Sequence, residues 1–286
     1  MASLKSIRKR IGSVKSTQKI TKAMKVVSAA KLRRAQDAAT AARPYAVKLT
    51  GLLQNVSSSV GAASHPLLQT RDEEKTVHLL LVTGDRGLCG GFNTNVIRKA
   101  EAFLNERGRD NVRMTVVGRR GFDYFRKRPV KIVGEHINLQ GGPNAELAAQ
   151  LGEQLAREFA DATVDAVYVI YNRFRSALVQ TPTVDQLLPL ATGEADGADS
   201  LEYLYEPNAV ELLDRLLRRY VNVIIHRAFL ESVASEHGAR MTSMDSATNN
   251  ATDMIGRLTL EMNRARQATI TKELMEIIGG AEALNG

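Results

Sequence analysis

The 286-residue chain has one cysteine, Cys89, and no tryptophan. A single cysteine excludes any intramolecular disulfide, and a reducing compartment is the default for such a chain. Aromatic residues make up only 5%. A composition poor in rings favours long helices, whose seams need no large rings to fill them. No apolar run is long enough to span a bilayer. Acidic residues are absent from Met1 to Gln36. No apolar core follows this charged start, which excludes a secretory signal. An arginine-rich, acid-free start also fits a mitochondrial transit peptide, but the amphipathic pattern runs far past the usual transit length.

What the chain does have is positive charge, unevenly placed. The formal net charge is +8. Lys5, Arg8, Lys9, Arg10, Lys15, Lys19, Lys22, Lys25, Lys31, Arg33 and Arg34 all fall within the acid-free start. Such a field calls for an acidic partner: nucleic acid, anionic lipid or an acidic protein surface. A basic zipper helix enters a DNA groove, but here apolar rungs interleave with the cations. Glu211, Asp214, Glu231, Glu236, Asp245, Asp253 and Glu261 also offset them from the far end of the chain. An acidic protein surface is the favoured partner, and nucleic acid is not expected.

Leu4, Ile7, Ile11 and Val14 alternate three-four, the spacing of a coiled-coil seam. The seam continues less strictly through Met24, Val27, Ala35, Ala38, Ala42, Tyr45, Leu49, Leu52, Val56 and Val60. Pro44 predicts a local bend. Residues 1–60 therefore read as an N-terminal coiled-coil helix of roughly 80 Å. Residues 61–75, with Gly61 and Pro66, read as a linker in which Glu73 and Glu74 are solvated charge. Residues 76–200 alternate strand and helix: strands over 76–83, 112–117, 130–133 and 165–172, helices over 92–107, 120–128 and 143–159. This βαβ rhythm predicts a small parallel sheet with helices packed on it. The two prolines of 177–190 suit an edge strand or an exit from the sheet, and 193–200 is an acidic loop. Residues 201–286 form the second coiled-coil helix, with Pro207 in its first turn. Its apolar rungs include Met241, Met244, Ala251, Ile255, Leu258, Met262 and Ala265. Gly238 and Gly256 are weak points of about 1 kcal/mol each, and Gly279-Gly280 is expected to loosen the tail. Neither long helix can bury its seam alone. The predicted fold is α/β: a long antiparallel two-helix coiled coil with an inserted Rossmann-like domain.

Catalytic signals are weak. The loop 83–93, TGDRGLCGGFN, follows a strand and precedes a helix. It has neither the phosphate-loop lysine nor G-x-G-x-x-G, so a nucleotide cofactor is not expected. It reads instead as a tight turn that presents Arg86 and Cys89 as contact residues. His78 is near Cys89 in sequence but sits mid-strand, so a nucleophile–base pair is not supported. His65, His136, His226 and His237 have no metal-ligand spacing. Catalytic, cofactor and metal residues are all read as none.

Several segments together resemble the gamma subunits of F-type ATP synthases, bacterial type. These are the start from Ile7 to Val27, the loop Asp85-Arg86-Gly87-Leu88-Cys89-Gly90-Gly91, and Glu202-Tyr203-Leu204-Tyr205-Glu206-Pro207. The C-terminal run from Asn263 to Glu282 completes the set. The resemblance implies a non-catalytic rotor shaft inside a ring of alpha and beta subunits. It also implies contacts with epsilon and a c-ring, driven by protons or sodium ions, at the cytoplasmic face of the bacterial inner membrane. It implies that Met24, Lys25, Arg86 and Cys89 face an acidic loop on beta. Arg266, Gln267 and Thr271 make polar contacts higher on the shaft, Ile277 and Ile278 lie near an apolar sleeve, and Tyr205 lies near epsilon and the c-ring. Two features depart from relatives. The single cysteine excludes the dithiol switch of chloroplast members, and Lys25 stands where some relatives carry an acid.

Overall fold

The computed structural model describes residues 4–60, 65–71, 73–139, 141–190 and 208–285. Tyr205, Pro207 and the acidic 193–200 segment lie outside them. The chain divides into two compact units, one of residues 1–27 with 241–286 and one of residues 28–240.

Helix α1 runs Leu4–Val60 and helix α5 runs Ala209–Asn285. Within the smaller unit they pair side by side. Lys25 Nζ lies 2.6 Å from Asp245 Oδ1, the Thr21 and Thr248 hydroxyls are 2.8 Å apart, and Gln18 Nε2 donates to Thr252 Oγ1 at 2.7 Å. Numbers rise on one helix as they fall on the other, so the pair is antiparallel, as predicted.

The less exposed positions of α1 include 4, 7, 11, 14, 18, 21, 25 and 28, then 32, 35, 39, 42, 46, 49, 53 and 56. That is an unbroken three-four alternation. The predicted seam departs from it at Val27, Ala38, Tyr45 and Leu52, all of which are exposed. The seam passes through polar Gln18, Thr21, Lys25 and Ser28, so following apolar residues alone slips it by one position. Helix α1 continues through exposed Pro44, and α5 continues through Gly279 and Gly280 to Asn285. On α5 the matching positions are 244, 248, 251, 255, 258, 262 and 265. All but Thr248 were predicted.

The larger unit holds a five-stranded sheet, β1 Val77–Val82, β2 Val112–Val117, β3 Lys131–His136, β4 Ala166–Phe174 and β5 Gln180–Leu188. The order is β3-β2-β1-β4-β5, parallel except for the antiparallel β4–β5 pair. The proline-bearing segment is indeed the edge strand. Alternate residues of β1 face opposite layers. Leu79 and Leu81 pack with helices α2, Phe92–Arg107, and α3, Arg119–Phe125. Leu80 and Val82 pack with α4, Ala145–Ala160, and with Leu53, Val56 and the 213–229 stretch of the long helices. Both faces of the central strand are therefore covered, which is why it reads as a continuous apolar run.

His78 is the polar exception within β1. It is fully buried, its Nδ1 lies 2.8 Å from Glu158 of α4, and its Nε2 lies 2.9 Å from Thr115 of β2. The carboxylate accepts, so Nδ1 carries the proton. This hydrogen bond is the main reason the Glu158 pKa falls to about 2. Glu74 is not solvated charge as expected: it pairs with Arg107 and accepts from Tyr168 Oη at 3.0 Å. Gly152 of α4 faces Asn222 of α5, where an added Cβ would lie 1.9 Å from Asn222 Oδ1.

Candidate functional site

In an open parallel sheet the natural ligand site lies beyond the carboxyl ends of the strands, where the strand order reverses. Here that place is flanked by β1 and β4, and the loop 83–91 follows β1. Helix α5 fills it. Ser235 Oγ donates to the Asn172 carbonyl at the end of β4 at 2.9 Å, and Asn172 Nδ2 donates to the Phe92 carbonyl at 3.2 Å. Ala239 packs on Cys89 and Phe92 in a small buried cluster. Gly238 permits this approach, because a Cβ there would meet Ala177 Cα at 3.2 Å and Phe174 at 3.4 Å. The residue read as a helix weak point is thus the one that lets α5 close the crevice.

The loop itself is fastened at several points. Asp85 accepts from the backbone N–H groups of Arg119, Asn138 and Leu139, at 2.8, 3.1 and 3.1 Å. Asn93 accepts from Gly84 N at 2.9 Å and donates to the Arg86 carbonyl at 3.2 Å. Arg240, only 8% exposed, donates to the Gly87 carbonyl at 3.3 Å and pairs with Glu236. Beside it, burial and the Arg240 and Lys31 charges push the His237 pKa down to about 4. The neutral ring can then accept from Arg240 Nη1, 3.2 Å away. A buried cation needs these acceptors, since an unpaired one would be costly.

Cys89 does not project from this loop. It is 2% exposed, with its sulfur 3.3 Å from Asn93 Nδ2, and burial raises its thiol pKa. A raised pKa and lack of access leave it an inert structural thiol. The side chains presented outward are Arg86 and Leu88. Leu88 is 63% exposed and has φ of 62°. A left-handed conformation is costly for leucine and persists only where its surroundings enforce it. Sequence reasoning missed Leu88 as the exposed tip and Arg240 as the clamp beneath it. The only hint was an apolar residue between the loop glycines.

Tyr205 lies outside the described residues, and the other predicted contact residues lie in the smaller unit. Met24 and Lys25 are half-buried, and Lys25 is already paired with Asp245. Extending the antiparallel register places Leu4 roughly opposite Arg266. Beyond that point α5 has no described partner helix, and every residue from 266 to 280 is exposed. Arg266, Gln267, Thr271, Ile277 and Ile278 all stand there, and Ile277 is 70% exposed. Ile270, Leu274 and Met275 are also more than half exposed. Among the described residues no cluster of three His, Cys, Asp or Glu could hold a metal. Among them, too, no helix is long and apolar enough to cross a membrane.

A family model described as ATP synthase matches residues 3–284. The ATP synthase gamma chain of Geobacter metallireducens is 51% identical over 289 residues, covering all of both chains. That of Pelotomaculum thermopropionicum is 47% identical, covering 99% of this chain and 100% of its own. Among solved structures, a chain from the central stalk and c-ring of Tetrahymena thermophila mitochondrial ATP synthase aligns with TM-score 0.62 and 26% identity. It covers 80% of this chain and 99% of that one. A chain of Euglena gracilis mitochondrial ATP synthase, at 19% identity and TM-score 0.68, covers 98% and 94% and shares the fold. A crevice closed by its own helix, an antiparallel helix pair and relatives matched end to end converge: the chain belongs to the ATP synthase gamma chain family, the central-stalk rotor subunits of the F1 sector.

Proposed function

We propose that this chain carries torque without doing chemistry. The observation that supports this most directly is the fifteen-residue run 266–280, exposed on all sides and rich in large apolar side chains. Such a surface is poorly suited to water and calls for an enclosing partner. An alpha–beta ring is the enclosure that family membership suggests, with catalysis belonging to beta. Ile277 and Ile278 then turn in an apolar sleeve, while Arg266, Gln267 and Thr271 make polar contacts that form and break as the shaft rotates. Met24 and Lys25 meet an acidic loop on beta. Arg86 meets it as well, with Cys89 supporting the turn from beneath. Tyr205 belongs to the epsilon and c-ring side.

Residues 1–60 and 201–286 serve as the shaft, 61–75 as linker and 76–200 as the seat for epsilon and the c-ring. Flow of protons or sodium ions turns the rotor, which works as a peripheral subunit on the cytoplasmic face of the bacterial inner membrane. Contacts of this kind must be weak and numerous, because a tight contact at one angle would trap the shaft. Co-purification with a tagged chain tests the reading. Alpha, beta, epsilon and c subunits should come down together and pump ions on ATP addition. Recovery of the tagged chain without alpha and beta would overturn it.

A further inference from the structure

Within the larger unit, a cleft of about 880 Å³ lies between α1, α5, α4 and the start of the β4–β5 turn. That volume is within the range of small-ligand sites. Its charged lining is almost entirely guanidinium: Arg43 from α1, Arg175 from the turn, and Arg219 and Arg227 from α5. Arg219 and Arg227 are eight residues apart, just over two helical turns, and so share a face. Each is anchored through its Nε, and the Arg219 guanidinium also lies 5.8 Å from the centre of the Tyr45 ring. Arg219 Nε donates to Tyr45 Oη at 3.0 Å, and Arg227 Nε donates to Glu231 Oε1 at 2.9 Å. Among the described residues no hydrogen bond engages the terminal nitrogens of either fork. Neither the Arg43 nor the Arg175 side chain has an ion-pair partner among the described residues. Glu231 is the one acidic side chain in the lining, and it is already engaged by Arg227.

Guanidinium groups arriving from three elements, the two on α5 held in place by Tyr45 and Glu231, match the oxygens of phosphate groups, which arginine binds in bidentate fashion. Tyr45 Oη accepts from Arg219 and keeps its own proton to donate. We propose that this cleft is a binding site for a small polyphosphate anion, bridging α1, α5 and the β4–β5 turn. The crevice at the strand ends, closed by α5, is a different place.

The shared chemistry is the phosphate chain, which free polyphosphate and a nucleoside triphosphate both supply. Isothermal titration of the purified full chain at fixed ionic strength, with inorganic tripolyphosphate, ATP and citrate in turn, tests it. Tripolyphosphate should saturate one site and citrate should bind at least tenfold more weakly. The ATP titration identifies the source: affinity equal to tripolyphosphate assigns the site to a nucleotide, and tenfold weaker affinity assigns it to free polyphosphate. Arg175→Gln with Arg219→Gln should weaken tripolyphosphate binding at least tenfold. Arg43→Gln, on a separate element, should weaken it in the same direction, with both variants melting near the parent temperature. Lys9→Gln with Arg10→Gln, on the basic start of α1, should change it less than twofold. Equal loss in the cleft and control variants, or no saturable binding, would overturn the proposal.

Discussion

Asp245→Ala separates the observed pairing of Lys25 with Asp245 from the contact with beta proposed for the same cation. In the folded chain Lys25 is held 2.6 Å from Asp245, and the two side chains are 42% and 46% exposed. A pair that open to solvent contributes about 1 kcal/mol or less. Losing it should lower the melting temperature by only about 2–4 °C in a chain of this size. The larger effect falls on rotation. A released ammonium that meets a partner carboxylate at about 4 Å gains roughly 1 kcal/mol at the dielectric of bulk water, and about 4 at the lower effective dielectric near a protein surface. Because Lys25 is nearly half exposed, the low end applies. Since each 1.4 kcal/mol is about tenfold in rate, about 1 kcal/mol lengthens the dwell at each beta subunit roughly fivefold. The assay is ATP hydrolysis and ion pumping by the assembled complex at low and high salt. Hydrolysis should slow several-fold at low ionic strength and recover as salt screens the new attraction. Lys25→Ala combined with Asp245→Ala should restore the parent rate, because no free charge remains. A double variant as slow as Asp245→Ala, or a single variant as fast as the parent at low salt, would refute the reasoning.

Four further outcomes follow from the geometry. Glu158→Gln should flatten the acid limb of stability. The depressed carboxylate pKa contributes above the unfolded value near 4.3, and this contribution fades as pH falls towards about 2. The loss at neutral pH should be about 2 kcal/mol, read by urea unfolding at pH 7 and pH 3. Gly152→Ala should cost about 1–3 kcal/mol by driving a methyl group into Asn222, and adding Asn222→Ala should recover most of it in a thermal-melt cycle. Cys89 should react with iodoacetamide at least about tenfold more slowly in the native chain than in urea at pH 8, since it is buried with a raised pKa; rapid native labelling followed by mass spectrometry would contradict this. Arg266→Ala, at an exposed site, should reduce coupling of pumping to hydrolysis without abolishing either, whereas loss of both in an intact complex would point to a single obligatory latch.

The α/β module was legible because its central strands β1, β2 and β4 are mostly buried and its turns carry glycine. Strand β2 and helix α2 match the predicted limits, and β5 is the edge strand its prolines suggested. The C-terminal seam was legible for a similar reason, since Met244, Ala251, Leu258 and Met262 mark the heptad in apolar residues. The middle of α1 was not. There the heptad holds while its residues turn polar, and Thr21, Lys25 and Ser28 lie on the inner face because Thr248 and Asp245 answer two of them from the other helix. Hydrophobicity carries no trace of such a match. Cys89 was misplaced for a different reason: what buries it is Ala239, a residue far away in sequence that no local pattern connects to it. That α5 occupies the crevice beside the loop 83–91 was not legible either, because the contacts that place it there join residues far apart in sequence.

The cross-helix bonds join residues 220 to 234 positions apart. A ribosome makes α1 first and its partner stretch of α5 last. At about 5–20 residues per second the interval is roughly 11–47 s. For that time the newborn helix has a half-apolar, strongly cationic stripe and nothing to lay it against. An isolated helix of this kind is held mainly by tertiary packing it does not yet have. The polar rungs limit the danger, because Gln18, Thr21 and Lys25 interrupt a stripe that would otherwise adhere to any hydrophobic surface passing by. They also make the eventual closure selective, since a one-heptad slip would strand Lys25 and Asp245 without each other. The order of synthesis therefore makes the last helix the clasp: until it emerges, neither the shaft nor the crevice at the strand ends can be finished.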